Sequence, residues 1–465
     1  MINKGRDHPM KKYKLFAKET DAVSSYEKVH HELAYRCACE SIVLLKNDGV
    51  LPVKTDGIAL FGAGAAKTIK GGTGSGEVNE RHSISIWEGM KNAGCDITTE
   101  KWLSDYEKDY TNGLVEFEKR ISDSLKSLDI ATYMNLFLQS YNYPYGRPIT
   151  LDDVEKSHTD TCIYVVARQS GEGHDRKPEE FMLSNEEKEH IRFCTKHYEN
   201  TIVVLNVGSS FDVRFTEEIP GINALIYFCQ QGTAGGEAFA DIISGKVTPS
   251  GKLTDTWAKD YFDYPSSNFY NQSRTEVEYC EDIFVGYRYF ETIPNAQKKV
   301  LYPFGFGLSY TSFDIRYTFK KDVYGFEIIA TVKNTGEFAG KETVQIYTKS
   351  PTGMMDKPAR ELRAFKKTPL LKPNEECTLI LNVENNKLAS YDTKLAAFVL
   401  ENGIYEIFAG TDCQSCQLVG EVDLPYTIVK QVKNRCTAFK LTKRLNADGT
   451  FTECETFDYK PLCDT

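Results

Sequence analysis

Apolar and polar residues alternate along this chain with two different periods, and the change of period divides it. From Glu27 to about Ser250, helix-type and strand-type patterns follow one another. A helix beginning near Tyr26 carries Leu33, Cys37, Ser41 and Leu44, spaced by four, four and three, which predicts an inward-facing stripe. Strand-like Ile58-Ala59-Leu60-Phe61, a glycine-rich loop and a helical segment through Ile86 and Met90 come next. Short apolar runs at Cys162–Ala167, Thr201–Val207 and Ala224–Phe228 read as further strands. Between the first two of these, Ser184 with Glu187 three residues on has the form of a capping box and opens a helix. Apolar strands alternating with helices make βαβ units, so the expected fold is α/β, with an open, mostly parallel sheet covered on both faces. The segment Glu100–Ser140 is more charged and helical, and reads as an insertion.

After Tyr302 the period becomes two. Phe326–Lys333, Glu342–Thr348, Cys377–Val383 and Tyr405–Ala409 alternate apolar with polar residues. Turn-forming Asn334-Thr335-Gly336, Lys372-Pro373-Asn374 and Glu401-Asn402-Gly403 separate them. About seven short strands in roughly a hundred residues predict an all-β sandwich of immunoglobulin or fibronectin III-like type. The expected division is an N-terminal extension 1–25, an α/β domain 26–301 with its insertion at about 100–140, a linker 302–315, a β-sandwich 316–416 and a strand-poor segment 417–465.

Composition narrows the classes. A length of 465 residues suits two or three domains better than one. With 41% hydrophobic and 26% charged residues the chain is globular, not fibrous or disordered. A net charge of −10 argues against nucleic acid or an anionic membrane surface as partner. No run of about 18 apolar residues occurs, so no helical membrane span is expected. Met1–Phe16 is lysine-rich and lacks the apolar stretch of a secretory signal. The thirteen cysteines follow no framework spacing, and Cys162, Cys194 and Cys229 sit in apolar runs, so a reducing, cytoplasmic setting is expected.

Candidate chemistry concentrates in Ser170-Gly171-Glu172-Gly173-His174-Asp175-Arg176, directly after the apolar run Cys162–Ala167. Open α/β sheets usually place chemistry on loops at the C-terminal ends of their strands. Glu172, between two glycines, is a candidate general acid/base, a role that normally needs a second carboxylate across the scissile bond. The plainer alternative is a solvated turn residue. Asp175 and Arg176 either orient this loop or form a local ion pair, and His174 reads as a solvated spectator. The loop Gly71-Gly72-Thr73-Gly74-Ser75-Gly76 lacks the Gly-Lys-Ser/Thr ending of a phosphate loop. Gly232–Gly236 lacks the acidic partner of a dinucleotide site and is explained by close packing of strand against helix. Cys413-x-x-Cys416 has the spacing of a zinc or redox pair without a second pair to complete it, although Cys436, Cys454 and Cys463 lie downstream. No metal or organic cofactor is expected.

Read in order, these and neighbouring strings resemble glycoside hydrolase family 3. Cys39-Glu40-Ser41-Ile42-Val43-Leu44-Leu45-Lys46-Asn47-Asp48-Gly49 followed by Leu51-Pro52 resembles the entry to that family's α/β sandwich domain, and Gly71–Gly76 its glycine-rich loop. Ser170–Arg176 resembles the loop that supplies the general acid/base. Pro249-Ser250-Gly251-Lys252-Leu253 and Val285-Gly286-Tyr287-Arg288-Tyr289-Phe290 follow in family order. Tyr302-Pro303-Phe304-Gly305-Phe306-Gly307-Leu308-Ser309-Tyr310-Thr311 resembles the linker into a fibronectin-like domain. That domain then shows Val332-Lys333-Asn334-Thr335-Gly336, Ala339-Gly340-Lys341-Glu342 and Arg360-Glu361-Leu362. The resemblance covers about Tyr26 to Thr411.

It implies that Glu172 is the general acid/base of a retaining β-glycosidase, foremost a β-glucosidase. β-Xylosidase and β-N-acetylglucosaminidase are alternatives; the latter takes its acid from the barrel domain, which the intact Ser170–Gly173 loop argues against. Arg81 and Glu77 beside the glycine-rich loop, and Asp175 and Arg176, are implied to bind sugar or support the site. The aromatic residues Tyr279, Tyr287, Tyr289, Phe290 and Tyr302 offer either sugar platforms or inter-domain packing. Most of the family begins with a (β/α)₈ barrel carrying the nucleophilic Asp in a Ser-Asp-Trp setting. A barrel needs about 250 residues, so the resemblance is to a member of permuted order, with residues 417–465 leading toward a barrel and the nucleophile outside this chain. Ser104-Asp105-Tyr106 matches the nucleophile setting only superficially, since it lies in the helical insertion. The implied partners are a β-glucoside or oligosaccharide and a barrel domain in cis or in trans, with self-association a further expectation. An alternative from another class is a non-catalytic module that binds carbohydrate or a partner protein.

Overall fold

The computed structural model describes residues 22–76, 80–125, 141–172, 176–270, 272–273, 275, 277–433 and 442–454. The N-terminal domain is built on five strands: β1 (Val43–Asn47), β2 (Ala59–Phe61), β3 (Thr161–Arg168), β4 (Asn200–Val207) and β5 (Ile222–Tyr227). Their order is β1-β5-β4-β3-β2; β1 runs antiparallel to β5 and the others are parallel. β3 and β4 pair in register from Thr161↔Asn200 to Arg168↔Val207. Their apolar runs are buried along nearly their whole length, as expected of strands covered on both faces.

One covering layer needs glycine. A Cβ on Gly89 of helix Ile86–Asn92 would lie 2.1 Å from the carbonyl oxygen of Gly236 in helix Gly235–Ile243, so the two backbones touch. Gly236 thus serves helix against helix, while Gly235 lies against Phe228 just past the end of β5, as strand-against-helix packing predicts.

Two expectations from periodicity change. Helix Ser25–Ser41 buries Ala38 and Cys39, while Leu33 is 48% exposed, Cys37 is exposed and Leu44 belongs to β1. Beside Ala38 and Cys39, the side of this helix that meets the domain makes polar contacts. His31 contacts Glu237 at 2.9 Å, Tyr35 donates to Asp241, and Ser41 donates to Gln231 at 2.6 Å. Leu33 and Cys37 therefore face outward, while Ser41 of the expected stripe turns to Gln231. Helix Glu100–Leu125 is not wholly an insertion: Trp102, Leu103 and Tyr106 are core residues, and Trp102 meets Phe61 edge-on at 5.5 Å. Asp105 between them is held by Lys101 at 2.8 Å and Arg147 at 3.3 Å. Residues 126–140 lie outside the described residues.

A short pair, β6 (Trp257–Ala258) with β7 (Val300–Tyr302), leads into the second domain. There β8 (Phe313–Lys321), β9 (Gly325–Asn334) and β12 (Glu376–Glu384) form one sheet. β10 (Thr343–Lys349), β11 (Glu361–Lys367), β15 (Gly403–Gly410) and β16 (Gln417–Leu424) form the other. Alternate residues Phe326, Ile328, Ala330 and Val332 of β9 join Val344, Ile346 and Ile407 in the core, the pattern of a fibronectin III-like sandwich. A third small sheet joins β13 (Ser390–Asp392), β14 (Ala397–Leu400) and β17 (Thr427–Gln431). The segment beyond Cys416, expected to be strand-poor, supplies β16, β17 and the hairpin β18 (Lys443–Leu445) with β19 (Phe451–Glu453). β16 escapes notice because, as an edge strand, it buries only Val422 and Leu424.

The domains meet through charge. Glu40, at the end of the first helix, pairs with Lys341 and with Lys367 (2.7 Å), and Lys252 pairs with Glu342 at 2.8 Å. Burial pushes the Glu40 carboxyl up, but hydrogen bonds from Lys341 and Lys367 outweigh it and hold it below its usual range.

His190 gives the α/β core a pH dependence. It is 6% exposed, its Nδ1 lies 3.2 Å from the Tyr164 hydroxyl, and Trp102 packs edge-on against its ring. Burial lowers its pKa below the usual 6.5 despite the nearby carboxylates of Glu187, Glu189 and Glu186. The neutral ring is the folded form, so its contribution is complete above pH 6.5 and is lost as pH falls through the depressed value. The Glu40 pairs are lost in a lower window, below about 4.5. The melting temperature is expected to fall between about pH 7 and 5 and to fall less steeply in His190→Asn, whose amide still faces Tyr164. Identical slopes in the two proteins would refute the assignment.

Candidate active site

β2 and β3 are parallel neighbours, so their C-terminal loops leave the sheet side by side. The glycine-rich loop after β2 stays attached to the loop after β3. The Thr73 amide donates to the Ser170 carbonyl at 3.0 Å, Thr73 bridges Gly171, and the Gln169 amide donates to the Gly71 carbonyl at 3.0 Å. The β2–β3 pairing thus resumes beyond the strands and brings Gly74 against Glu172. Gly74 has φ +85°, and a Cβ there would fall 2.6 Å from the Glu172 Cβ and 2.8 Å from its Oε2. Glycine is required twice, for the left-handed backbone and for the space. Glu172 itself is exposed at the strand-end face.

Two groups that carry no chemistry fix this arrangement, and sequence reading did not single out their roles. Asn206, in the otherwise apolar run of β4, is fully buried. Its Oδ1 accepts from the Ile69 amide at 2.6 Å, and its Nδ2 donates to the carbonyls of Ile69 (2.9 Å) and Cys229 (2.6 Å). One side chain thereby ties the loop after β2 and the loop after β5 to the end of β4. An amide inside an apolar strand is the signal that would have found it. Arg168, the last residue of β3, makes a two-pronged pair with Glu187 (2.7 and 2.5 Å) and donates to the Met182 carbonyl at 2.8 Å. Burial pulls this guanidinium down, but the hydrogen bonds and charge of Glu187 overcome it and leave its pKa raised. Glu187 also closes the capping box with Ser184, so that helix start is locked to the strand that carries Glu172.

The remaining candidates are spread out. Arg176 is half-buried; its Nη1 donates to the Ser209 hydroxyl at 3.2 Å, its Nε and Nη2 are buried without an acceptor among the described residues, and burial pushes its pKa down. Arg81 is engaged with Glu27 at 2.6 Å, which holds that carboxyl down to about 2, and with the Ala22 carbonyl at 3.4 Å. Glu77, His174 and Asp175 lie outside the described residues. The aromatic group divides. Tyr287 stacks on Phe304 at 4.6 Å and accepts from the Leu362 amide at 2.9 Å, an inter-domain contact. Tyr302 packs on Trp257, whereas Tyr279 is exposed. Cys416 lies 2.7 Å from the Arg360 guanidinium and Cys413 is 3.9 Å from Glu291. Burial pushes both thiols up, Cys416 to about 11.

Asn206→Leu keeps the volume of the side chain but orphans one amide and two carbonyls. It is expected to cost about 3 kcal/mol and to speed hydrogen exchange at the Ile69 amide. Denaturant unfolding and exchange mass spectrometry would check this; unchanged stability would show that the loops hold without the amide.

Residues 42–310 match the glycosyl hydrolase family 3 C-terminal domain, and residues 342–413 a fibronectin type III-like domain. β-Glucosidase A of Butyrivibrio fibrisolvens is 35% identical over 91% of the chain, which covers 55% of that protein. A β-glucosidase of Ruminococcus albus is 35% identical over 83% of the chain, covering 40% of its length. Among solved structures, a β-glucosidase from Paenibacillus barengoltzii superposes on 93% of the chain with a TM-score of 0.79 and 30% identity, the chain covering 48% of it. β-Glucosidase 3B from Thermotoga neapolitana, in complex with α-D-glucose, superposes on 86% with a TM-score of 0.73 and 33% identity, the chain covering 55% of it. The chain thus spans about half the length of these relatives. By the match across its α/β domain, this chain belongs to glycosyl hydrolase family 3.

Proposed function

We propose that this chain supplies the acid/base half of a retaining β-glucosidase site, with Glu172 as the proton donor and a (β/α)₈ barrel, in cis or in trans, bringing the nucleophilic carboxylate. The observation that carries the reading is the seating of Glu172 on Gly74, held by the paired loops at the strand-end face. Retaining hydrolysis needs two carboxyl groups roughly 5 Å apart, one attacking the anomeric carbon and the other protonating the leaving oxygen and then activating water. The donor must hold its proton near neutral pH, which calls for burial or a neighbouring negative charge. Glu172 is exposed here, so the docked barrel would supply both. Arg176, half-buried behind the same loop, fits a supporting role, and Asp175, Glu77 and Arg81 are proposed alongside it from the family resemblance. β-Glucosides follow from the relatives named above; a reducing compartment follows from thiols buried in the core, such as Cys162 and Cys194.

The test pairs the full chain with the barrel portion of the Butyrivibrio relative and compares two substrates. Glu172→Gln is expected to slow hydrolysis of an alkyl β-glucoside by about 10²–10⁴-fold. A dinitrophenyl β-glucoside, whose leaving group departs without a proton, would show a much smaller loss of its first step. Equal losses on both substrates would remove Glu172 from the proton-donor role. Gly74→Ala, which drives a methyl into Glu172, is expected to lower kcat on the alkyl glucoside by at least about tenfold, and unchanged kcat would show that Gly74 does not position the acid.

A further inference from the structure

The outward side of the first helix has no role in the site described above. Tyr26, Val29 and Leu33 are 63%, 65% and 48% exposed, and Cys37 is exposed with them. Spaced by three, four and four, these residues share one side of helix Ser25–Ser41. The opposite side is pinned by polar contacts: Glu27 to Arg81, His31 to Glu237, Tyr35 to Asp241 and Ser41 to Gln231. Although Ala38 and Cys39 are buried against the core, Val29 and Leu33 face solvent, and an immobilised apolar stripe in water is the mark of an interaction surface.

We infer that this stripe is the docking surface for the barrel domain that carries the nucleophile. Three observations select that occupant. The chain covers only 55% of the Butyrivibrio relative and 48% of the Paenibacillus structure, so a domain-sized portion of each lies beyond the match. The first turn of the helix is tied by Glu27 to Arg81, and Lys70 pairs with Glu80 just before it, so the stripe begins at the exit of the glycine-rich loop that seats Glu172. The far end of the same helix is held by Glu40 to Lys341 and Lys367 of the sandwich, so both domains fix its direction before any partner arrives and little ordering is required on docking. This inference rests on the acid/base reading only in its choice of partner.

The experiment uses the full chain, the separately produced barrel portion of the Butyrivibrio relative, and two variants. Val29→Gln/Leu33→Gln keeps good helix formers at exposed positions, so its melting temperature is expected to match the parent. Its affinity for the barrel, measured by calorimetry, is expected to drop by at least about tenfold, and maleimide labelling of Cys37 is expected to slow in the parent complex. Glu172→Gln serves as the converse: it is expected to lose turnover and keep affinity. Retained turnover with Glu172→Gln would sink the acid/base reading and leave docking untouched. Parent-like affinity of the double variant, or no complex with the parent, would overturn the docking surface. So would self-association of the parent that the double variant abolishes, which would make a second copy the occupant. Faster Cys37 labelling after removal of residues 1–21 would instead assign the stripe to the chain's own N-terminus.

Discussion

Everything at the strand-end face hangs on the amide of Asn206. A parallel sheet sends every loop that can carry chemistry off one edge, and the backbone groups of those loops have no ladder to pair with. Asn206 answers this at the centre of the sheet, accepting from Ile69 and donating to Ile69 and Cys229. Because it is fully buried, these bonds form in a low dielectric, where leaving them unmade is costly. With Ile69 placed, the chain through Gly71 to Thr73 reaches Ser170, and Gly74 comes to rest on Glu172. The position of the Glu172 carboxylate is thus inherited, step by step, from Asn206, which does not contact it.

A second constraint acts from the other side of β3. Arg168 and Glu187 are both largely buried, and a buried pair of this kind is tolerated only when its remaining donors and acceptors are satisfied. Here the guanidinium also serves the carbonyls of Ala167 and Met182, and the carboxylate caps a helix. The pair adds little by Coulomb attraction alone; its effect is to lock the end of β3, four residues before Glu172, to helix Asn185–His197. The loop is therefore clamped at its root, while Glu172 is exposed. That division sets the position of Glu172 in advance of any partner.

The outward stripe of the first helix belongs to the same logic. A helix normally turns apolar residues inward because burial outweighs the loss of side-chain freedom. In this one, polar contacts with Glu237, Asp241 and Gln231 already define the inner side, and the apolar positions are left over. Sequence periodicity detects the stripe but carries no sign for its direction, since a partner and a core demand the same pattern.

How far the chain can be read from its residues follows from where each signal resides. The α/β and β-sandwich domains, the buried strands β3 and β4, the capping box at Ser184 and the place of the Glu172 loop directly after β3 were legible because each rests on local periodicity, on short-range hydrogen bonding or on an ordered set of motifs. β16 was not, because an edge strand buries too little to show a period. The start of helix Glu100–Leu125 was misread as insertion because its charged remainder hides three core residues, Trp102, Leu103 and Tyr106. The sequence by itself determined which segments fold and set Glu172 between two glycines just after β3. Only the tertiary structure decided what lies beside that carboxylate and which way the first helix faces, because Gly74 against Glu172, Asn206 against Ile69 and Tyr35 against Asp241 join residues distant along the chain, and no local pattern records such pairs.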